Sequence, residues 1–487
     1  MEPDRQIEIQ LGHMCNNRCV FCVSGQRTAL GQAGPTPVEP VLRAIRLARE
    51  AGHRKITLLG GEPTLQPGFM RIVEETVRLG FEEIVIFTNG AKTARPALVD
   101  AVRATGGRFT WRISIQGATR ESHERTTRKP GSFGRIERTL ANLAARGERI
   151  TVNMCLVGSN YEDVDRFPTL LAPYGVSQLH LDLMRPLDAG DRTEAELRAA
   201  MPPLSTLVPP LRRMVAGFPV GFDVNLGNLP FCVAPDLAPW IHHDGAATET
   251  IAVDGDDRLS RPWDKYLVKR RDKIKPPSCA DCVLAPRCSG VFETYARFHG
   301  LAELRPIDAT ALRDADPNGE LLGVWAPPLL APARCRVRSD HALDVTLDGV
   351  TASLDAHGGD LARYQRFGVR GLEGAGDVTA LARLLARLDA PVHPLGPAAP
   401  PALRAPLERL RRAAPFGGLR WTGLEVGPDR VELALESASA RAALWIAHRG
   451  RPSGGYRVEE GTADEAMVDG LRQAMRALGP ARAEPAR

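Results

Sequence analysis

From residue 7 to residue 186 the chain repeats one pattern: an apolar, β-rich run, a polar or glycine turn, then a segment of helical period. The strand candidates are Ile7–Leu11, Lys55–Leu59, Glu83–Phe87, Thr110–Ile115, Ile150–Val157 and Gln178–Met184. Between them lie helical stretches such as Val38–Ala51, Phe69–Leu79, Pro96–Thr105 and Gly134–Arg146. Alternation of this kind builds βαβ units on a parallel sheet. It predicts an α/β fold, a partial (β/α)6 TIM-type barrel. Right-handed crossovers then place every strand's C-terminal end on one face.

The residues at those ends carry chemistry. The first strand runs into His13-Met14-Cys15-Asn16-Asn17-Arg18-Cys19-Val20-Phe21-Cys22, and the second ends in Gly60-Gly61-Glu62-Pro63-Thr64. Thr88-Asn89-Gly90, Ser114-Ile115-Gln116-Gly117, Gly158-Ser159-Asn160 and Arg185-Pro186 end the next four. Barrel enzymes assemble their active sites at this face, from the ends of several strands.

Nine cysteines are unevenly placed. Cys15, Cys19 and Cys22 form one tight group and Cys279, Cys282 and Cys288 another, while Cys155, Cys232 and Cys335 stand apart. In a reducing compartment such groups read as metal or cluster sites rather than disulfides. The spacing C-x3-C-x2-C offers three thiolates to three corners of a [4Fe–4S] cubane and leaves the fourth iron open. Two other readings stay in view. The three positions share one helix face and would serve as packed thiols, although Asn16 and Asn17 are poor residues for a helix interior. With His13 as a fourth ligand, the same group would hold zinc.

Cys15, Cys19 and Cys22, followed by Gly60-Gly61-Glu62-Pro63, resemble the signature of the radical S-adenosylmethionine (radical SAM) superfamily across the first 190 residues. The resemblance implies a cluster that cleaves S-adenosylmethionine to methionine and a 5′-deoxyadenosyl radical, which takes hydrogen from a substrate. It implies that Gly60, Gly61 and Glu62 meet the methionyl amino group of the cofactor. Ser114 and Gln116 stand where similar enzymes contact ribose and carboxylate, and Asn153 and Arg185 are further candidates of that kind. For these four a hydrogen-bonded strand end is the competing reading. Phe21 resembles the aromatic that members place near the adenine.

Cys279-x2-Cys282-x5-Cys288, with Cys232 in Gly227-Asn228-Leu229-Pro230-Phe231-Cys232, resembles the auxiliary-cluster domains called SPASM and Twitch. The pattern departs from the full form: Phe292 stands where a further cysteine belongs, and no cysteine closely precedes Gly227. Four thiolates suffice for one fully ligated [4Fe–4S] cluster, and a four-cysteine zinc site is the alternative. Cys155 and Cys335 read as packed or inert thiols, and His242-His243 as a surface pair.

The domain plan that follows is a radical SAM core over 1–195, an auxiliary domain over 196–310, a linker over 311–335, an α+β region over 336–478 and a frayed tail over 479–487. Residues 200–307 read as irregular, Asp344–Asp355 as a hairpin around Asp348-Gly349, Arg430–Arg449 as one or two strands, and Pro391–Pro406 as a linker. A net charge of +5 over 487 residues is too small and too dispersed to point to nucleic acid. No apolar run suits a membrane span or a signal sequence, so the expected compartment is the cytoplasm.

The expected substrate is a peptide or protein, because the auxiliary pattern resembles that of peptide maturases. A small metabolite is the alternative, and no leader-binding domain is expected before Cys15. Arg120, Arg125, Arg128 and Lys129 are candidates to hold an anionic substrate, against a reading as solvated loop charge. The expected electron donor is external, such as a flavodoxin or ferredoxin. A non-catalytic iron–sulfur or zinc protein and a tRNA-modifying enzyme are the remaining readings.

Overall fold

A computed structural model of the protein describes residues 5–219, 221–245, 247–254 and 258–357. Further along it describes 363–364, 367–373, 378–385, 388, 419–426, 430–437, 439–448, 452–462 and 464–478. The linker expected over Pro391–Pro406 and the tail over 479–487 lie outside these residues. The chain divides into two units, Met1–Ala280 with Ala285–Pro306, and Asp281–Leu284 with Ile307–Arg487.

The first unit is built on strands β1 (Gln6–Gln10), β2 (Lys55–Leu59), β3 (Glu83–Thr88), β4 (Phe109–Ser114), β5 (Arg149–Leu156) and β6 (Gln178–Leu183). They lie side by side in chain order and pair in parallel. The crossovers carry helices α1 (Val23–Ala29), α2 (Val38–Glu50), α3 (Phe69–Arg78), α4 (Pro96–Ala104), α5 (Arg120–Thr127) and α6 (Ser132–Ala144). Each long helix buries a stripe at helical spacing. In α2 it is Val41, Leu42, Ile45 and Ala48, and in α6 Phe133, Ile136, Leu140 and Leu143. Ile56, Leu58, Ile84 and Ile86 are fully buried along the neighbouring strands. The core therefore lies between one face of the sheet and its helices.

The sheet is wider than the six strands read from the sequence. After α7 (Phe167–Leu171), α8 (Glu194–Ala200) and α9 (Leu204–Gly217), strands β7 (Asp223–Gly227) and β8 (Ile241–His242) extend one edge. On the other edge β9 (Thr248–Ile251) pairs in parallel with β1, and β10 (Trp263–Asp264) runs antiparallel to β9. The region expected to be irregular thus belongs partly to the barrel sheet. Strands of two and four residues are too short to show a period of two, and only their neighbours' hydrogen bonds define them.

Helix α10 (Lys265–Arg271) starts on an Asp264 cap, whose carboxylate accepts from Leu267 N–H at 2.6 Å. Strands β11 (Lys273–Ile274) and β12 (Val291–Phe292) then bracket the second cysteine group, followed by α11 (Glu293–His299).

The second unit also departs from expectation. Two helices, Ala309–Ala315 and Leu322–Leu329, occupy the stretch read as a linker. Pro327 and Pro328 fall in the last turn of the second helix. Asp316 organises the pair. It is 1% exposed and accepts from Glu320 N–H (3.0 Å), Leu321 N–H (2.8 Å) and Trp325 Nε1–H (2.8 Å), with Trp325 fully buried. Beyond them Ala342–Leu347 and Val350–Asp355 form the expected hairpin. Asp348 (φ 48°) and Gly349 (φ 81°) supply its left-handed turn. Strands Arg430–Glu436 and Ala440–His448 belong to a four-stranded antiparallel sheet.

Asp316→Ala leaves buried donors unsatisfied and should destabilise the second unit by about 1–3 kcal/mol. Denaturant unfolding followed by tryptophan fluorescence measures this. A midpoint no lower than that of Asp469→Ala, a change at an exposed pair, would contradict it.

Candidate active site at the strand ends

Cys15, Cys19 and Cys22 lie on the loop that leaves the C-terminal end of β1 and enters α1. The loop is clasped from two sides. Gly61 N–H donates to Gly12 O at 2.7 Å, and Glu62 N–H to Met14 O at 2.8 Å. On the other side Arg18 and Val20 N–H donate to the Thr127 and Thr126 carbonyls at 2.9 and 3.0 Å, at the end of α5. The clasp accounts for both glycines. A Cβ on Gly61 would sit 2.4 Å from the His13 and Met14 carbonyl oxygens, and one on Gly60 would sit 2.7 Å from Gly12 O. What approaches these glycines closely here is the cysteine loop itself.

Glu62 is 1% exposed. Its Oε1 accepts from Thr64 Oγ1 (2.6 Å), Thr64 N–H (3.2 Å) and Thr88 Oγ1 (2.7 Å). Oε2 accepts from Asn89 N–H at 2.6 Å. Burial pushes this carboxyl above its usual range, with those donors opposing the shift. Oε1 is saturated, so whatever Glu62 offers an ammonium group comes from Oε2.

The three thiols are half-buried. Burial, aided by the nearby Glu62 charge, pushes Cys15 up to about 12. Burial also raises Cys19 well above the ordinary thiol range, with Cys22, Cys15 and Cys155 adding to it. Cys22 is raised by burial too, against the backbone N–H groups of Gly25 and Ser24 at the start of α1. Asn17 N–H and Asn89 Nδ2 lie 3.4 and 3.7 Å from the Cys15 sulfur as donors. Such thiols ionise on meeting a cationic centre, and binding releases their protons.

His13 does not complete a four-ligand set in this arrangement. It is buried, with Nδ1 at 2.9 Å from Ser24 Oγ and Nε2 at 3.1 Å from Val253 O. Three thiols with no fourth side-chain ligand from His13 fit a cubane with one open iron. Among the described residues no three His, Cys, Asp or Glu side chains converge on a single ion. A cubane does not require that, because its ligands bind separate irons.

The other candidates are held by their neighbours. Gln116 is buried, its Nε2 donating to Ser114 Oγ at 2.6 Å and its Oε1 accepting from Cys155 N–H at 3.0 Å. The pair ties the end of β4 to β5. Asn153 is half-buried in β5, opposite Ser114 in register, and Phe21 is half-buried between Cys19 and Cys22. Arg185 forms a two-pronged contact with Asp272, at 2.7 and 3.3 Å, and reaches Asp188 at 3.2 Å.

Arg120 and Arg125 lie on helix α5 rather than in a loop. Arg120 stands near Glu124 and Glu137, and Arg125 donates to Ser159 O at 3.1 and 2.6 Å. Arg128 caps that helix in the left-handed region.

Asp182, His180 and Lys269 were not singled out in the sequence, and Cys155 was read there only as a packed thiol. Cys155 faces Asp182 across the β5–β6 register, and burial, then the Asp182 charge, raises its thiol well above the ordinary range. Asp182 is bound by His180 Nε2 (2.8 Å) and Asn228 Nδ2 (2.8 Å), with Lys269 at 3.9 Å. Gly227 makes room for it, since a Cβ there would lie 1.9 Å from Asp182 Oδ1. Lower on the same sheet, Lys265 of α10 donates to Glu8 at 2.7 Å. Burial alone would raise Glu8, but Lys265 outweighs it and holds the carboxyl below its usual range. Glu8 lies on the polar face of β1 with Gln6 and Gln10, and its partner Lys265 lies 257 residues on.

Of the second cysteine group, Cys232, Cys279 and Cys288 lie in the first unit and Cys282 in the second. Gly290 N–H is 3.4 Å from the Cys288 sulfur, and Ile307 N–H is 3.4 Å from that of Cys282. Lys275 Nζ donates to the Ala285 and Cys288 carbonyls at 3.0 and 2.9 Å, bracing the loop. Cys335 is half-buried in strand Arg334–Ser339 of the second unit. His243, read as a surface residue, is buried against Ser289 Oγ (2.6 Å) and Leu229 O (2.8 Å). Burial, with Lys273 nearby, lowers it to about 3.

A parallel α/β sheet with three cysteines on the loop after its first strand defines a class of cluster-dependent proteins. Residues 9–171 match the family model described as the radical SAM superfamily, and this segment is a radical SAM domain. The chain is 30% identical over 198 residues to a probable GTP 3′,8-cyclase of Metallosphaera sedula, covering 39% of this chain and 59% of that protein. It therefore spans 59% of the length of that relative. Mycofactocin maturase MftC of Mycobacterium tuberculosis is 25% identical over 364 residues, covering 68% of this chain and 87% of MftC. The solved structure of Streptococcus suis SuiB bound to S-adenosylmethionine aligns with a TM-score of 0.44 and 15% identity, over 63% of this chain and 76% of SuiB. Among the described residues no helix is long and apolar enough to cross a membrane.

Gly61→Ala should open the clasp and lower the iron retained per chain after anaerobic reconstitution, while far-UV circular dichroism stays unchanged. Full iron retention would show the clasp to be dispensable.

The metal-free protein should also respond to alkali. Cys15 titrates near 9.0 when unfolded and near 12 when folded, so its contribution to stability is complete below pH 9 and is lost as pH rises toward 12. The melting temperature of the apo form should fall over that window, and less steeply in Cys15→Ala. Equal slopes would contradict the assignment.

Proposed function

We propose that the protein is a radical SAM enzyme acting on a peptide or protein substrate, with Cys15, Cys19 and Cys22 as ligands of its [4Fe–4S] cluster. The observation that carries the reading is the clasped loop: three half-buried thiols, their neighbouring N–H donors, and Glu62 fastened at its base. When bound, the cluster supplies an electron to S-adenosylmethionine and so a carbon radical that takes hydrogen from substrate. The chain's own work is to hold and exclude. The Gly12–Met14 segment orients the cysteines, and Glu62 Oε2 lies beside them to receive an ammonium group. Gln116 and Ser114 present a buried polar pair on the strand end across the face. The buried sheet below keeps water from the reacting atoms.

The peptide reading draws support from the reach of one relative. A match covering 68% of this chain runs across residues 232–288 wherever it begins, so it includes the second cysteine group. That relative is named a maturase. In this reading Cys232, Cys279, Cys282 and Cys288 hold one auxiliary [4Fe–4S] cluster, and an external one-electron carrier serves the enzyme.

Anaerobic reconstitution with iron and sulfide tests both parts. About eight irons per chain are expected for two cubanes, with 5′-deoxyadenosine formed from S-adenosylmethionine after dithionite. The Cys15→Ala/Cys19→Ala/Cys22→Ala variant should lose the 5′-deoxyadenosine and half of the iron. About four irons with the same activity would remove the auxiliary cluster from the reading. Fully loaded protein whose EPR spectrum is unchanged by S-adenosylmethionine would sink the catalytic one.

A further inference from the structure

We propose that a basic pocket beside Ser289 binds a carboxylate-bearing segment of an extended peptide, an assignment that rests on the peptide reading above. The pocket lies within the first unit and holds about 590 Å³ of space open to solvent. Arg270, Lys273, Lys275 and Arg287 line it, against one carboxylate, Asp244, and the thiol of Cys288. Arg270 is already paired with Asp244.

The two lysines are the informative members. Lys273 is only partly exposed, and its Nζ donates to Asn228 Oδ1 at 2.6 Å and Ser289 Oγ at 2.8 Å. Lys275 Nζ donates to the carbonyls of Ala285 and Cys288. All four acceptors are uncharged. Among the described residues neither ammonium has a carboxylate within ion-pair distance. Asp182 and Asp272, the carboxylates acting on Lys273 from further off, are engaged by His180 and Asn228 and by Arg185. Two ammonium groups gathered in a concavity, neither with a carboxylate at ion-pair distance, leave it able to take an added anion.

The pocket's connection to the strand ends says what kind of anion. Lys273 bonds Asn228, and Asn228 bonds Asp182 at the end of β6, so one hydrogen-bond chain joins the pocket to the face that carries the cysteine loop. On the peptide reading, the substrate held at that face can extend to Lys273 and Lys275. An extended peptide with an acidic side chain a few residues from its modified position has this form.

The test uses the full chain, anaerobically reconstituted. Fluorescein-labelled Gly-Glu-Glu-Gly amide and its Gly-Gln-Gln-Gly counterpart are titrated by fluorescence anisotropy. The glutamate peptide should bind at least about tenfold more tightly than the glutamine one, and Lys273→Met/Lys275→Met should remove that preference. The single change at exposed Lys275 should weaken it in the same direction and serves if the double variant does not fold.

Equal affinity for the two peptides, or a preference that survives the double variant, overturns the proposal. So does displacement by tripolyphosphate at lower concentration than by glutarate, which would assign a phosphate ligand. Loss of iron along with the preference would show the lysines serving the Cys288 loop instead, and also overturns it. The two readings fail separately. A lysine-dependent glutamate preference with no peptide-stimulated 5′-deoxyadenosine from any substrate refutes the catalytic reading alone. Peptide-stimulated turnover without that preference refutes the pocket alone.

Discussion

The contact between Gly12–Met14 and Gly61–Glu62 is the constraint on which the candidate site depends. Two backbone hydrogen bonds join the loop after β1 to the turn after β2, and side chains at positions 60 and 61 would collide with the carbonyls that form it. A buried carboxylate on one side and α5 on the other leave the loop half-buried. That partial burial raises the thiols and makes them respond to a cationic cluster. Gly-Gly-Glu is thus a structural necessity for the loop before any ligand arrives.

A second layer of organisation runs through charge. Glu8 with Lys265, Asp182 with His180 and Lys269, and Arg185 with Asp272 are matched across the polar face of the sheet. Two of the four cations, Lys265 and Lys269, come from one short segment, α10, which continues to Lys275. The same segment supplies both the neutralised interior and the unmatched ammonium groups near Ser289. Burying ions demands partners or ligands, and here the inner ones have partners within the chain.

Much of the fold could be read along the chain, and for a local reason. Periods of two and of 3.6 are properties of neighbouring residues, so β1–β6 and helices α2, α3, α4 and α6 announced themselves, as did the Asp348-Gly349 turn. The edges were hidden because β8 and β10 have two residues each. The helix holding Pro327 and Pro328 was hidden because Asp316 and Trp325 supplied the order from inside. At the site, the cysteine spacing and the Gly60–Glu62 turn stood out in the sequence. Gln116 was noticed as a ligand candidate, and the structure adds its role as a tie between Ser114 and Cys155.

By itself the sequence determined the parallel α/β core, the three cysteines at one strand's end and the radical SAM assignment of residues 9–171. All of these depend on spacing within a few residues or on motifs contiguous in the chain. Only the tertiary structure decided that Glu62 is saturated on one oxygen, that Cys155 faces Asp182, and that Lys273 reaches Asn228. These are meetings of residues far apart in sequence, chosen by burial and charge once the sheet has formed, and no local period encodes them.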